Sequence, residues 1–288
     1  MTDTVVWIDG QRFSAESAQV SVFDRGFLYG DSVFETLRTY GKKPFALEEH
    51  LARLERSAER VLIRMPLDRD GFRREVTEAL SAVDHDESLV RIMLTRGRGT
   101  SLGLDPGLAP TPLRVLLVMP LPAPLEQKYA DGIGVITYRA PRLADGTAAA
   151  GAKVANYLAA VLAIDAARRA SAEEALFVDP EQRVLEGSTS NVFAVIGGRL
   201  VTPPEDLGIL PGITRARVLS LAAKRGLVTE IRPISVDELF TSEELFISSS
   251  IREILPVVSV DGRRVGSGKP GKTTLALLSD FRVAARAG

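Results

Sequence analysis

The chain has 288 residues, 45% of them hydrophobic and 25% charged, with a formal net charge of -1. That is long enough for two domains with separate cores, and so even a charge gives no electrostatic reason to expect nucleic acid or an anionic membrane as partner. No Cys occurs and only two His, His50 and His85, which excludes disulfides, thiolate metal sites and cysteine nucleophiles, leaves too few imidazoles for a His-rich metal centre and gives little support for a Ser-His-Asp triad. The start, Met1-Thr2-Asp3-Thr4, carries an acid and no long apolar run, and no segment approaches a membrane span, so a cytoplasmic enzyme is expected.

In chain order, residues 5–8 read as a strand turned by Asp9-Gly10. Residues 32–40 are rich in β-branched and aromatic side chains, and residues 41–44 turn the chain back toward Phe45. The spacing of Leu51, Leu54, Ala58, Val61 and Leu62 predicts an amphipathic helix over 48–62, and a second covers 70–80. Strands follow at 89–95 and 113–119, around a Gly-rich loop at 96–107. The Pro-rich run at 120–124 favours an extended connector, so we expect a small N-terminal α/β domain over 1–119, a linker over 120–128 and a larger domain over 129–288. Beyond the linker, strands (133–138, 175–178, 192–195) mix with Ala-rich helices (157–170, 215–224). A last β unit at 245–260 precedes a helix from about Thr273. Without regular βαβ alternation the fold class is mixed α/β (α+β) rather than doubly wound.

Lys153 stands in Gly151-Ala152-Lys153-Val154-Ala155-Asn156-Tyr157, a stretch otherwise small and mostly apolar. A poorly hydrated amine is a nucleophile toward carbonyls, although a lysine snorkelling from a helix start would look the same. Glu186 opens Glu186-Gly187-Ser188-Thr189-Ser190-Asn191, which leads into the apolar strand at 192–195. Its carboxylate is therefore expected near the interior, where it requires a cationic or donor partner such as a protonated pyridine nitrogen; the bland alternative is a polar surface turn. Leu210-Pro211-Gly212-Ile213-Thr214 ends at a helix whose first-turn N–H groups would suit a phosphate, or at a plain Thr cap. Arg53, one turn after His50, offers bidentate phosphate recognition if its helix borders such a group. Residues 266–273 also satisfy the GxxxxGK[ST] pattern of a nucleotide-binding loop. They follow a hairpin, with room for only one helix beyond, so that reading is set aside.

Together these residues resemble the class IV (fold-type IV) pyridoxal-phosphate enzymes. That group includes branched-chain aminotransferases, D-amino-acid aminotransferases, (R)-amine transaminases and aminodeoxychorismate lyases. The resemblance covers nearly the whole chain, through residues 24–36, 49–54, 153–157, 186–191, 210–214 and 248–253. It implies a two-domain fold with pyridoxal 5'-phosphate at the domain interface, and a homodimer. Lys153 would hold the cofactor as a Schiff base and shuttle the proton, Tyr157 would bond the ring hydroxyl, Glu186 would pair with the ring nitrogen and Leu210 would pack on the ring. Arg53, Ile213, Thr214 and Ser250 would hold the phosphate. Tyr29, Phe34, Thr36, Arg96, Arg98 and Ile251 would border the substrate pocket, partly from the neighbouring subunit.

The resemblance also bears on substrate. The D-amino-acid enzymes typically carry Tyr where this chain has Phe34, and an Arg-x-His trap where it has Arg96-Gly97-Arg98-Gly99 without His. Thr36 and Ser248-Ser249-Ser250 look like the lyase, whereas residues 32–35 and 210–214 look like the branched-chain enzymes. The expected function is transfer of an amino group from a hydrophobic, branched-chain-like L-amino acid to 2-oxoglutarate or pyruvate, with relaxed specificity that extends to (R)-amines. Aminodeoxychorismate lyase, D-amino-acid aminotransferase and a non-catalytic relative are the alternatives.

Overall fold

The computed structural model describes residues 3–122, 126–139, 147 and 149–287. The chain divides into two compact units, Met1–Ala123 with Ala152–Asn156, and Pro124–Gly151 with Tyr157–Gly288.

In the first unit, β1 (Val5–Ile8), β2 (Gln11–Ser14), β3 (Ser32–Tyr40), β4 (Lys43–Pro44), β5 (Ser88–Thr95) and β6 (Leu113–Pro120) form one sheet. Among the described residues its order is β2-β1-β6-β5-β3-β4, and every pair is antiparallel. A short helix α1 (Arg25–Tyr29) precedes β3; Asp24 caps it by accepting from Gly26 N, and Gly30, at φ 66, ends it. α2 (Leu47–Arg60) and α3 (Arg69–Ser81) pack on the sheet, as their spacing predicts. Leu51 and Leu54 of α2 meet Val33 and Leu37 of β3 and Val90, Ile92 and Leu94 of β5 in one core. Burial of each such leucine contributes about 2 kcal/mol.

The second unit begins with α4 (Glu126–Asp131) and β7 (Ile133–Arg139). At the expected linker, 120–128, Pro120 belongs to β6 and Glu126 opens α4, and residues 123–125 lie outside the described residues. α5 (Leu158–Arg169) connects β7 to the parallel strand β8 (Glu174–Val178). Then come β9 (Arg183–Gly187), β10 (Asn191–Ile196), β11 (Arg199–Thr202), α6 (Ile213–Lys224), β12 (Thr229–Ile231), β13 (Ile234–Ser235) and α7 (Val236–Thr241). The chain closes with β14 (Glu244–Ser249), β15 (Glu253–Val260), β16 (Arg263–Arg264) and α8 (Lys272–Ala287). Among the described residues these strands order as β12-β11-β10-β14-β15-β7-β8-β9-β13, with β16 on β15. Parallel pairs (β7 with β8 and β15, β11 with β12) mix with antiparallel ones, as expected for a mixed α/β chain.

Residues 152–156 depart from the expected boundary at 129 by joining the first unit. The backbone explains it. Val154 bridges Val33, Phe34 N donates to Lys153 O (3.0 Å) and Ala155 N donates to Ser32 O (2.9 Å), so this segment adds to the start of β3. Among the described residues no helix is long and apolar enough to cross a membrane.

Candidate active site

Strand periodicity sorts β3 into two faces. Val33, Glu35 and Leu37 point toward α2, while Phe34 and Thr36 point away. On α2, His50, Arg53 and Ser57 recur at i, i+3 and i+7, one helical stripe, and all three are buried. Glu35 accepts from Arg53 Nε and Nη2 and faces His50 Nδ1, each at 2.7 Å. Burial pushes the Glu35 carboxyl up, but Arg53, bonded in both places, and His50 outweigh it and hold the group down at about 2. Burial lowers His50, and the charges of Arg53 and Lys153 add to the effect against the pull of Glu35. Ser57 Oγ accepts from Lys153 N (3.1 Å), so the third member of the stripe fixes the lysine backbone.

Lys153 Nζ lies 4.6 Å from the centroid of the Phe34 ring. The guanidinium of Arg91 lies 4.5 Å from the same ring, and its Nε donates to Thr36 Oγ1 (3.2 Å). Arg91 reaches this face because it stands opposite Thr36 in the β3–β5 register. An amine and a guanidinium thus share one aromatic ring. The arrangement can present a nucleophilic nitrogen beside a cation able to bind a carboxylate.

In the second unit, Glu186 belongs to β9 and is half-buried; its Oε2 accepts from Leu210 N (3.0 Å). Asn191 Nδ2 donates to Leu210 O (2.9 Å), so Leu210 is gripped at both ends of its backbone. Gly212 passes so close to Asn191 that an added methyl would strike the amide oxygen. Gly212 is the N-cap of α6 and supplies no side-chain cap, whereas Asp24, Asp68 and Ser235 cap their helices. Thr214 is 3% exposed, and its Oγ1 has no hydrogen-bond partner, nor does the buried Ser248 Oγ. A helix start without a side-chain cap, next to an orphaned hydroxyl, has the donor chemistry of a phosphate site. Tyr157 is the N-cap residue of α5, and Ser250 and Ile251 lie in the turn between β14 and β15.

Thus Lys153, Arg53, Phe34 and Thr36 gather around β3 in the first unit, and Glu186, Leu210, Ile213 and Thr214 gather in the second. Arg96, expected at the border of the substrate pocket, is held by partners within the first unit. Its Nε and Nη2 bind Asp31 (2.6 and 2.9 Å), and Nη1 and Nη2 bind the Leu62 and Val61 carbonyls (2.6 and 2.7 Å) just beyond α2. A cation committed to a carboxylate and a helix C-terminus holds the loop in place. Arg98 is exposed and pairs through its backbone with Asp24, and the Tyr29 hydroxyl accepts from Gly103 N (3.3 Å).

Sequence reasoning missed Arg91, Ser57 and Glu174. Arg91 could have been found by aligning β3 and β5 in register, and Ser57 by extending the His50–Arg53 stripe one turn. Glu174 shows only as an acid opening the apolar run Ala175–Val178, and every residue of that strand is buried.

Residues 32–260 match the family described as amino-transferase class IV. A Methanocaldococcus jannaschii protein, provisionally named a branched-chain-amino-acid aminotransferase, is 37% identical over 277 residues, 96% of this chain and 95% of its own. The D-alanine aminotransferase of Bacillus licheniformis is 32% identical over 93% of each chain. A solved branched-chain amino acid aminotransferase of T.th., with pyridoxamine 5'-phosphate, superposes with a TM-score of 0.92 at 29% identity, over 98% of this chain and 94% of that one. The chain is an enzyme that belongs to the class IV aminotransferases, with their fold-type IV architecture.

Proposed function

We propose that this enzyme transfers the amino group of a hydrophobic, branched-chain-like L-amino acid to a 2-oxo acid, 2-oxoglutarate or pyruvate, and also accepts (R)-amines. Class IV aminotransferases depend on pyridoxal 5'-phosphate, which when bound supplies an aldehyde and an electron-withdrawing ring. The residues fit that group: the α6 start without a side-chain cap and the unpartnered Thr214 hydroxyl suit a phosphate, and Lys153 is an amine against an aromatic face.

In this reading the Lys153 amine binds the aldehyde and moves the proton at the substrate Cα. Ser57 and β3 fix the lysine backbone, and Phe34 limits the swing of its side chain. Glu186, anchored by Leu210 N, pairs with the ring nitrogen; Tyr157 bonds the ring hydroxyl, and Leu210 packs on the ring. Arg53, its plane set by Glu35, joins the amides of Ile213 and Thr214, the Thr214 hydroxyl and Ser250 at the phosphate. Thr36 and Ile251 border the substrate.

One observation carries the substrate reading: Arg91 and Lys153 flank the same ring, so an acceptor such as 2-oxoglutarate whose distal carboxylate is bound by Arg91 presents its oxo group toward the amine. The apolar bodies of Phe34 and Ile251 suit a hydrophobic side chain, which pocket shape discriminates only modestly. Exposed Leu158, Val161 and Leu162 on α5, with Phe23, Phe27 and Leu28 around α1, support a homodimer. The 32% identity to a D-alanine aminotransferase supports a second reading, D-amino-acid transfer. A half-reaction panel decides between them. L-leucine should convert the cofactor band to its amine form faster than D-alanine, with slower conversion by (R)-1-phenylethylamine. Faster conversion by D-alanine overturns the L-specific reading, and pyruvate release from aminodeoxychorismate without conversion by any amine identifies a lyase.

A further inference from the structure

Glu174 opens β8 and is fully buried, yet none of the roles above uses it. Its Oε1 accepts from Ala175 N (3.0 Å) and Ser188 N (3.1 Å). Its Oε2 accepts from Thr189 Oγ1 and Ser190 Oγ (3.2 Å each) and from Arg252 Nη2, which also bonds Thr189 Oγ1. One carboxylate thus ties together two turns distant in sequence. The first, 188–190, joins Glu186 on β9 to Asn191 on β10, and Asn191 in turn grips Leu210. The second, 249–252, contains Ser250.

That second turn is held on three sides. Arg252 N donates to Ser249 Oγ (3.2 Å), Arg252 O accepts from Tyr129 Oη (3.0 Å), and the Arg252 side chain reaches Glu174. Immediately after it, Glu253 adopts φ 53, a conformation uncommon for a residue with a side chain, and Arg282 Nε pins its carboxylate at 2.7 Å. A buried carboxylate with this many donors has a single orientation, so both turns inherit a fixed separation.

We infer that Glu174, acting through Arg252, is a positioning residue that sets the Ser250 turn relative to the Glu186 strand, and so matches a phosphate-binding hydroxyl to the ring-nitrogen carboxylate. The inference rests on the functional reading above. It distinguishes the two members of the pair. Glu174 holds the 188–190 turn directly, through Ser188 N, Thr189 Oγ1 and Ser190 Oγ, and reaches the Ser250 turn only through Arg252. Loss of Arg252 should therefore release the Ser250 turn and weaken the hold on the phosphate, while the remaining Glu174 bonds keep the 188–190 turn in place and spare the ring.

The test compares binding of pyridoxal 5'-phosphate and of pyridoxal, which lacks the phosphate, by absorbance after removal of the resident cofactor. Arg252→Met should lower affinity for pyridoxal 5'-phosphate about tenfold, the scale of one charge-assisted hydrogen bond, and leave pyridoxal affinity within about twofold of wild type. Arg252→Lys, whose ammonium can still reach Glu174, should recover part of the ratio. Glu174→Gln should weaken both compounds. Equal losses for both in Arg252→Met would reduce the cluster to a stability element and overturn the inference, as would an unchanged ratio. Wild-type protein that takes up neither compound overturns the functional reading itself, a result distinct from an unchanged ratio.

Discussion

Lys153 and Arg91 meet at Phe34 because three local rules coincide. Alternation puts Phe34 and Thr36 on one face of β3, register puts Arg91 opposite Thr36, and the 153–155 segment pairs onto β3 beside them. If Arg91 receives the distal carboxylate of an acceptor, Arg91→Met should lower kcat/KM for 2-oxoglutarate by about tenfold to a hundredfold, the range for a charged hydrogen bond, while pyruvate changes little. Equal losses for both acceptors in steady-state assays would assign Arg91 to the fold. The buried trio of Glu35, His50 and Arg53 makes a separate prediction. Both Glu35 and His50 are lowered in the folded state, so the unfolded chain binds more protons below its own values of 6.5 and 4.5. Their stabilisation is therefore present above pH 6.5, declines first as His50 resists protonation, and is lost further as pH falls from 4.5 toward 2. Urea unfolding should show lower stability at pH 5 than at pH 7.5, by no more than about 1.4 kcal/mol per pH unit for one proton, and His50→Gln should flatten that slope. An unchanged slope in the variant would contradict the neutral, buried histidine.

At the scale of elements, helix starts show which terminus is kept for a ligand. The nucleotide-loop pattern at 266–273 does lead into a helix, but Glu244 occupies its first turn. Its carboxylate accepts from Thr273 N (3.0 Å), Thr274 N (2.8 Å) and Thr274 Oγ1 (2.7 Å). The chain's own acid thus fills the place a phosphate would take. The Glu244→Ala variant should lose about 1–2 kcal/mol of unfolding free energy, the value of a helix cap, and no change in a urea titration would count against that role. α6 is the opposite case, with glycine at the cap and the Thr214 hydroxyl orphaned. Most elements were legible from periodicity: β3 and α3 fall within a residue or two of their expected bounds. Short pieces such as α4, α7 and β13 were not, because six residues or fewer hold too little of a period, and tertiary contacts decide them.

For the whole molecule, the family was legible in the sequence, while the membership of one short segment was not. Residues 152–156 show no period that declares which core they serve, and backbone pairing with β3, with Val154 packed against the first core, assigns them. Charge roles were equally hidden. Arg96 and Arg91 look alike in sequence, yet one clamps a loop and the other faces Phe34. The exposed apolar stripe of Leu158, Val161 and Leu162 on α5 predicts a dimer in sedimentation at micromolar concentration, and Leu162→Glu should shift it toward monomer. A wild-type monomer, or a variant dimer of unchanged strength, would remove α5 from the interface. The central claim is that Lys153 is the amine that holds the cofactor. The direct measurement is borohydride reduction of the pyridoxal-phosphate-loaded protein, proteolysis and mass spectrometry of the labelled peptide. A single modification on Lys153 is expected; a label on any other lysine, or none, would contradict that role.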